Sequence, residues 1–276
     1  MSGPDPDADA AAAGGDADPD AGVTTLPAAE LRRRMGRGEL SPVALTEACL
    51  ERRERLHGEL NAVVTVNEAA LEEARAAEAR QERARESGEE LPPLHGLPVG
   101  IKDVTETAGL RTTYGCPLYA DHVPGEDALV VERLKAAGAI VLGKTNTPEF
   151  AAGGHTFNDV FGTTGNPWDP DLSPGGSTGG GAAGLASGMI ALAQGTDLGG
   201  SLRIPASFCG VTGLRTSPGL VPTWPSEFLW DALQVTGYMG RRAEDVGLAL
   251  QATAGPDPRV PVRQPVRGRD FVGPAR

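Results

Sequence analysis

Two serines sit in beds of glycine. Ser177 stands in Pro-Gly-Gly-Ser-Thr-Gly-Gly-Gly (174–181), and Ser201 in Gly-Thr-Asp-Leu-Gly-Gly-Ser-Leu-Arg (195–203). Glycine lets the backbone turn tightly and lets a substrate approach the main chain. Leu198, Gly199 and Gly200 lead into Ser201 and an expected helix start over 200–208. N–H groups at such a start lack partners and could point at a developing oxyanion. Asp197 and Arg203 flank the turn and could brace it as an ion pair. Tight turns packing a helix against a sheet explain the same residues without chemistry, and spacing alone does not choose between the two. A third residue is Lys102, which closes the apolar run Leu97–Ile101 beside Asp103. Sites in α/β sheets form at strand ends. A lysine drawn into one loses hydration, its pKa falls, and when neutral it can serve as a base. By residue physics alone, a lysine reaching from a strand end to water is the simpler reading.

Three short motifs match by the letter and fail on context. Gly138-Ala-Ile-Val-Leu-Gly143-Lys144-Thr145 fits a phosphate-binding loop. That loop must be irregular and follow a strand, whereas Ala-Ile-Val-Leu reads as a core strand after a helix, ending in a surface lysine. Gly179–Gly184 fits a dinucleotide-binding turn, but no strand precedes it. Gly175–Gly179 fits a nucleophile elbow around Ser177, which needs a later histidine. The histidines are His57, His95, His122 and His155, all earlier in the chain. They do not cluster at metal-ligand spacing, so surface or packing roles are expected and no metal is.

These residues need a scaffold. Apolar LPVGIKD (97–103), Ala139–Leu142 and Ile190–Gln194 read as buried strands, and Asn61–Val66 as a short one. Helices are expected after Pro27, from Ser41-Pro42 to about Leu56, and over Glu68–Glu86, Asp127–Ala137, 179–188 and Glu244–Ala254. The Glu68–Glu86 helix has little apolar face and should be exposed. Strands alternating with helices predict an α/β fold with a mixed, mainly parallel sheet covered by helices.

The 276 residues suffice for a sizeable core. Six of the 37 acidic residues fall in residues 1–22, which hold no basic residue and are expected to form a disordered acidic tail. A net charge of −12 argues against a nucleic-acid partner. Cys49, Cys116 and Cys209 are odd in number and widely spaced, so neither a disulfide framework nor a thiolate zinc site is expected. The apolar stretch near 182–193 is too short and too broken to span a bilayer, and no secretory signal is evident, so no membrane is expected. A reducing cytoplasm is the expected setting. Residues 256–276 are rich in Pro and Arg and read as an irregular end to a domain spanning 23–255.

Residues 174–206, PGGSTGGGAAGLASGMIALAQGTDLGGSLRIPA, closely resemble the signature of the amidase signature family. LPVGIKD at 97–103 resembles that family's lysine motif. AGAIVLGKTNTPEFA (137–151) and FGTTGNPWDP (161–170) resemble its linking segments. The similarity runs from about Leu26 to Ala254.

The resemblance implies a Ser–cisSer–Lys triad working through an acyl-enzyme, without metal or cofactor. Lys102 matches the base, Ser177 the bridging serine and Ser201 the nucleophile. The Gly176–Ser177 peptide is then expected to be cis. The N–H groups of Leu198, Gly199, Gly200 and Ser201 would hold the oxyanion. Thr178 stands where the family usually has a second serine, and keeps its hydroxyl. The implied substrate is a small-molecule amide. A homodimer is compatible with the sequence but not legible in it. Family members are longer, so the fold is expected to lack its second half, and the chain to be a poor hydrolase by itself. Competing readings are the glutamyl-tRNA amidotransferase A subunit, an inactive remnant and a P-loop nucleotide binder.

Overall fold

The computed structural model describes residues 22–271. The expected acidic tail therefore lies outside the described residues, except Gly22, which opens a 3₁₀ turn ending at Thr25. Helix α1 (Ala28–Gly36) follows Pro27. Helix α2 (Pro42–Leu60) starts at Ser41, whose hydroxyl accepts the Ala44 N–H at 3.2 Å, and ends at Asn61 in the left-handed region. Then come β1 (Val63–Val66), α3 (Ala70–Ser87), β2 (Pro98–Lys102), α4 (Leu129–Ala136) and β3 (Ile140–Thr145). The hairpin β4 (Phe157–Asn158) and β5 (Gly162–Thr163) precedes α5 (Gly179–Ala186), β6 (Leu192–Asp197) and α6 (Arg203–Cys209). Strands β7 (Thr212–Leu214) and β8 (Val235–Gly240) lead to α7 (Ala243–Thr253).

Six strands form one sheet in the order β1-β3-β2-β6-β8-β7. The centre, β3-β2-β6, is parallel. Strands β1 and β8 run antiparallel to their inner neighbours, and β7 is antiparallel to β8, so four of the six strands point one way. This is the mixed, mainly parallel sheet expected. Strands β2, β3 and β6 are buried at every position, as befits strands covered on both faces. Their shared direction brings Lys102, Thr145 and Asp197 to the same end of the sheet.

Helix α5 packs against the sheet by virtue of its small residues, and every position from Gly179 to Leu185 is buried. The approach is close: a Cβ on Gly180 would lie 2.3 Å from the Asn146 nitrogen and 2.7 Å from the Ala62 oxygen.

Several expectations need correction. The phosphate-loop pattern is sheet, as expected, but strand β3 runs on past Leu142 through Gly143-Lys144-Thr145, with a register shift against β2. Lys144 is not on the surface. Its strand lies between β1 and β2, and its buried ammonium donates to the Thr105 carbonyl and, at 3.0 Å, to Thr107 Oγ1. Helix α3 is not simply exposed: Ala70, Ala74, Gln81 and Ala84 are buried, and Gln81 Nε2 donates to two backbone carbonyls. Strand β6 starts two residues later than expected, and α6 starts only at Arg203. No helix among the described residues is long and apolar enough to cross a membrane.

Candidate active site

Lys102 ends β2 with its side chain fully buried. Its Nζ donates to Ser177 Oγ at 2.6 Å and to Thr196 Oγ1 at 3.0 Å. Its N–H donates to Gln194 Oε1 at 3.3 Å. Burial pushes the ammonium's pKa down to about 7, against the opposing pull of the Asp197 carboxylate. Lys102 thus does not reach out to water, the simpler expectation from residue physics. It turns inward because β2 is central and its end is roofed by the Ser177 segment.

Ser177 is equally buried, and the Gly176–Ser177 peptide is cis. Thr178 ties this segment to the second serine, its N–H donating to the Ser201 carbonyl at 3.1 Å. The Thr178 hydroxyl makes a long contact, 3.4 Å, with the Thr196 carbonyl. Thr156 Oγ1 clamps the glycine loop, donating to Gly175 O at 2.9 Å and accepting from Gly179 N at 3.1 Å.

Ser201 is half-buried in the turn between β6 and α6. Asp197 organises that turn. Its carboxylate accepts the N–H of Gly200 at 2.8 Å and of Leu202 at 3.1 Å, and takes both Nε and Nη2 of Arg203 at 3.0 Å. Burial alone would raise the Asp197 pKa, but the Arg203 side chain and the backbone donors outweigh it and bring it to about 2. The Asp197–Arg203 brace is thus present as a bidentate pair. Gly200 departs from its expected role, because its N–H is already spent on Asp197. The N–H groups of Leu198, Gly199 and Ser201 carry no such bond among the described residues.

Sequence reasoning missed Gln194, Thr196 and Thr156. The first two had a signal: they are polar residues two apart in a buried strand that is apolar or small up to Asp197, and such groups need partners. Thr156 sits in a loop and had none. No group of three or more His, Cys, Asp or Glu among the described residues could hold a metal.

The family model described as Amidase matches residues 44–273. The glutamyl-tRNA(Gln) amidotransferase A subunit from Thermus thermophilus is 45% identical over 231 residues, and its counterpart from Moorella thermoacetica 45% over 234. Each alignment covers 84% of this chain and 47% of the relative. Among solved structures, a bacterial aryl acylamidase of the amidase signature enzymes shares 32% identity with a TM-score of 0.81, over 88% of this chain and 50% of that one. Native peptide amidase from Stenotrophomonas maltophilia shares 36% identity with a TM-score of 0.75, over 85% and 49%. The chain therefore spans about half the length of the curated relatives it matches.

Proposed function

The chain belongs to the amidase signature family, and on that premise we propose that it carries the catalytic residues of an amide hydrolase. The reaction converts a small carboxylic acid amide to the acid and ammonia or an amine. One observation carries the reading: a fully buried lysine, poised near neutrality, contacts a buried serine hydroxyl at 2.6 Å. At that distance a neutral Nζ can accept the Ser177 proton.

Ser201 Oγ attacks the amide carbon. Its proton passes to Ser177 Oγ as Ser177 gives its own to Lys102 Nζ. The N–H groups of Leu198, Gly199 and Ser201 face the oxyanion, while Gly200, bonded to Asp197, keeps the turn in shape. As the tetrahedral species collapses, the Lys102 proton returns through Ser177 to the leaving nitrogen. Water then cleaves the acyl-enzyme by the same relay. Thr178 and the Asp197–Arg203 pair act by position. The test is turnover of simple aryl and aliphatic amides by the purified chain. Ser201→Ala, Ser177→Ala and Lys102→Ala should each lower the rate by roughly a thousandfold or more. Near-wild-type turnover in Lys102→Ala would refute the relay.

A second reading has its own support. Relatives named as the A subunit of glutamyl-tRNA(Gln) amidotransferase reach 45% identity, above the 36% of the peptide amidase. In that role the same serine would release ammonia from glutamine beside partner proteins. Glutamine hydrolysis that appears only when such a partner is added would favour it.

A further inference from the structure

A cavity of about 260 Å³ lies beside the lysine and shares a wall with it. Thr196 lines this cavity and also takes a hydrogen bond from Lys102 Nζ at 3.0 Å. The rings of Tyr114, Phe150 and Trp224 give much of the remaining wall an aromatic character. Tyr114 and Phe150 stack with centroids 6.2 Å apart. Glu106 is the single charged residue of the lining, and the Tyr114 hydroxyl donates to its Oε1. Glu106 Oε2 makes no hydrogen bond among the described residues.

The backbone singles out the same place. Four non-glycine residues of the described chain have positive φ. Asn61 caps a helix. The other three, Tyr114 (55°), Phe150 (49°) and Ala151 (59°), all line this cavity. Left-handed backbone at non-glycine residues is costly and concentrates where a ligand must be held.

We propose that this cavity holds one of the two groups flanking the scissile amide, and that Glu106 makes it select a neutral or cationic aromatic group over one bearing a carboxylate. The proposal rests on the reading of Lys102 as the base. An anion entering the cavity meets the Glu106 carboxylate in a partly desolvated space, where repulsion is stronger than in water. A cation meets an acceptor and three aromatic rings, and a flat ring gains by stacking on Tyr114 or Phe150. The Glu106 side chain makes no ion pair among the described residues; it accepts from the Tyr114 hydroxyl, and its charge favours the ammonium of the buried Lys144.

The experiment is binding, so it does not depend on turnover. Benzylamine, benzamide and benzoate are titrated into the full chain and followed by the Trp224 indole N–H resonance, assigned with Trp224→Phe. Benzylammonium and benzamide should bind saturably, and benzoate at least about tenfold more weakly. Glu106→Gln should weaken benzylammonium about tenfold and bring benzoate within about threefold of benzamide. Tyr114→Phe keeps both the carboxylate and the ring and removes only the hydroxyl, so the preference should survive in it, which separates loss of charge from loss of the Tyr114–Glu106 hydrogen bond. Charge-blind binding in the wild type, a preference that persists in Glu106→Gln, or no saturable binding of any probe would overturn the proposal. Failure of Ser201 to react with a serine-directed probe would instead count against the catalytic reading.

Discussion

Replacing Lys102 with methionine should stabilise the fold at neutral pH while removing the base. The lysine's pKa is about 7 in place of 10.5. A gap of about 3.5 units at about 1.36 kcal/mol each makes roughly 5 kcal/mol of destabilisation carried by the native state at pH 7 and below. Methionine fills similar space but loses the hydrogen bonds to Ser177 and Thr196, at about 1.5 kcal/mol each. The net gain is about 2 kcal/mol at pH 7, or roughly 4–8 °C in Tm for a chain of this size. The sign of the pH dependence is fixed. The native pKa lies below the unfolded one, so the unfolded chain binds more protons between pH 7 and 10.5. Wild-type stability therefore rises across that window and is flat below it. The advantage of Lys102→Met should shrink as pH rises and become a deficit of about 3 kcal/mol near pH 10.5. Urea unfolding of both proteins at pH 7, 8.5 and 10 measures this. A difference independent of pH, or a variant several kcal/mol less stable than wild type at pH 7, would refute the reasoning.

Asp197→Asn should cost about 2–3 kcal/mol near pH 6, because the aspartate's pKa is held at about 2 instead of 3.8. That contribution is present above pH 3.8 and lost as pH falls through 2, so the gap in urea stability should close in acid, and equal stabilities at pH 6 would contradict it. Gly180→Ala places a Cβ 2.3 Å from the backbone nitrogen of Asn146, just past β3, and should lower thermal stability by about 1–3 kcal/mol or prevent folding; an unchanged Tm would show that α5 can move away.

The parallel core was legible because LPVGI, AIVL and IALA are continuously apolar or small, and the helices because Ser41-Pro42 and the final Glu244–Ala254 period are local signals. Strands β7 and β8 were not legible. Thr212–Leu214 is too short to show a period, and Val235–Gly240 (VTGYMG) carries two glycines that weaken the strand signal. Their pairing beside β6 is a long-range fact that no local pattern encodes. At the site, glycine beds marked the serines, but only the family resemblance chose Lys102 over a surface lysine. The buried state of Lys144 had no such guide. It depends on the 103–107 turn folding back to offer Thr105 O and Thr107 Oγ1. Gly200 was misjudged because Asp197 was weighed only as a partner for Arg203. A buried carboxylate takes every donor within reach, and the Gly200 N–H is one of them.

The most direct test of the Ser201–Ser177–Lys102 relay is the site and pH dependence of acylation by a fluorophosphonate probe. The label should map by peptide mass spectrometry to Ser201. Its rate should rise about tenfold per pH unit below 7, level off above it as Lys102 loses its proton, and collapse in Lys102→Ala. Label on Ser177, or on Ser201 at a rate indifferent to both pH and Lys102, would contradict it.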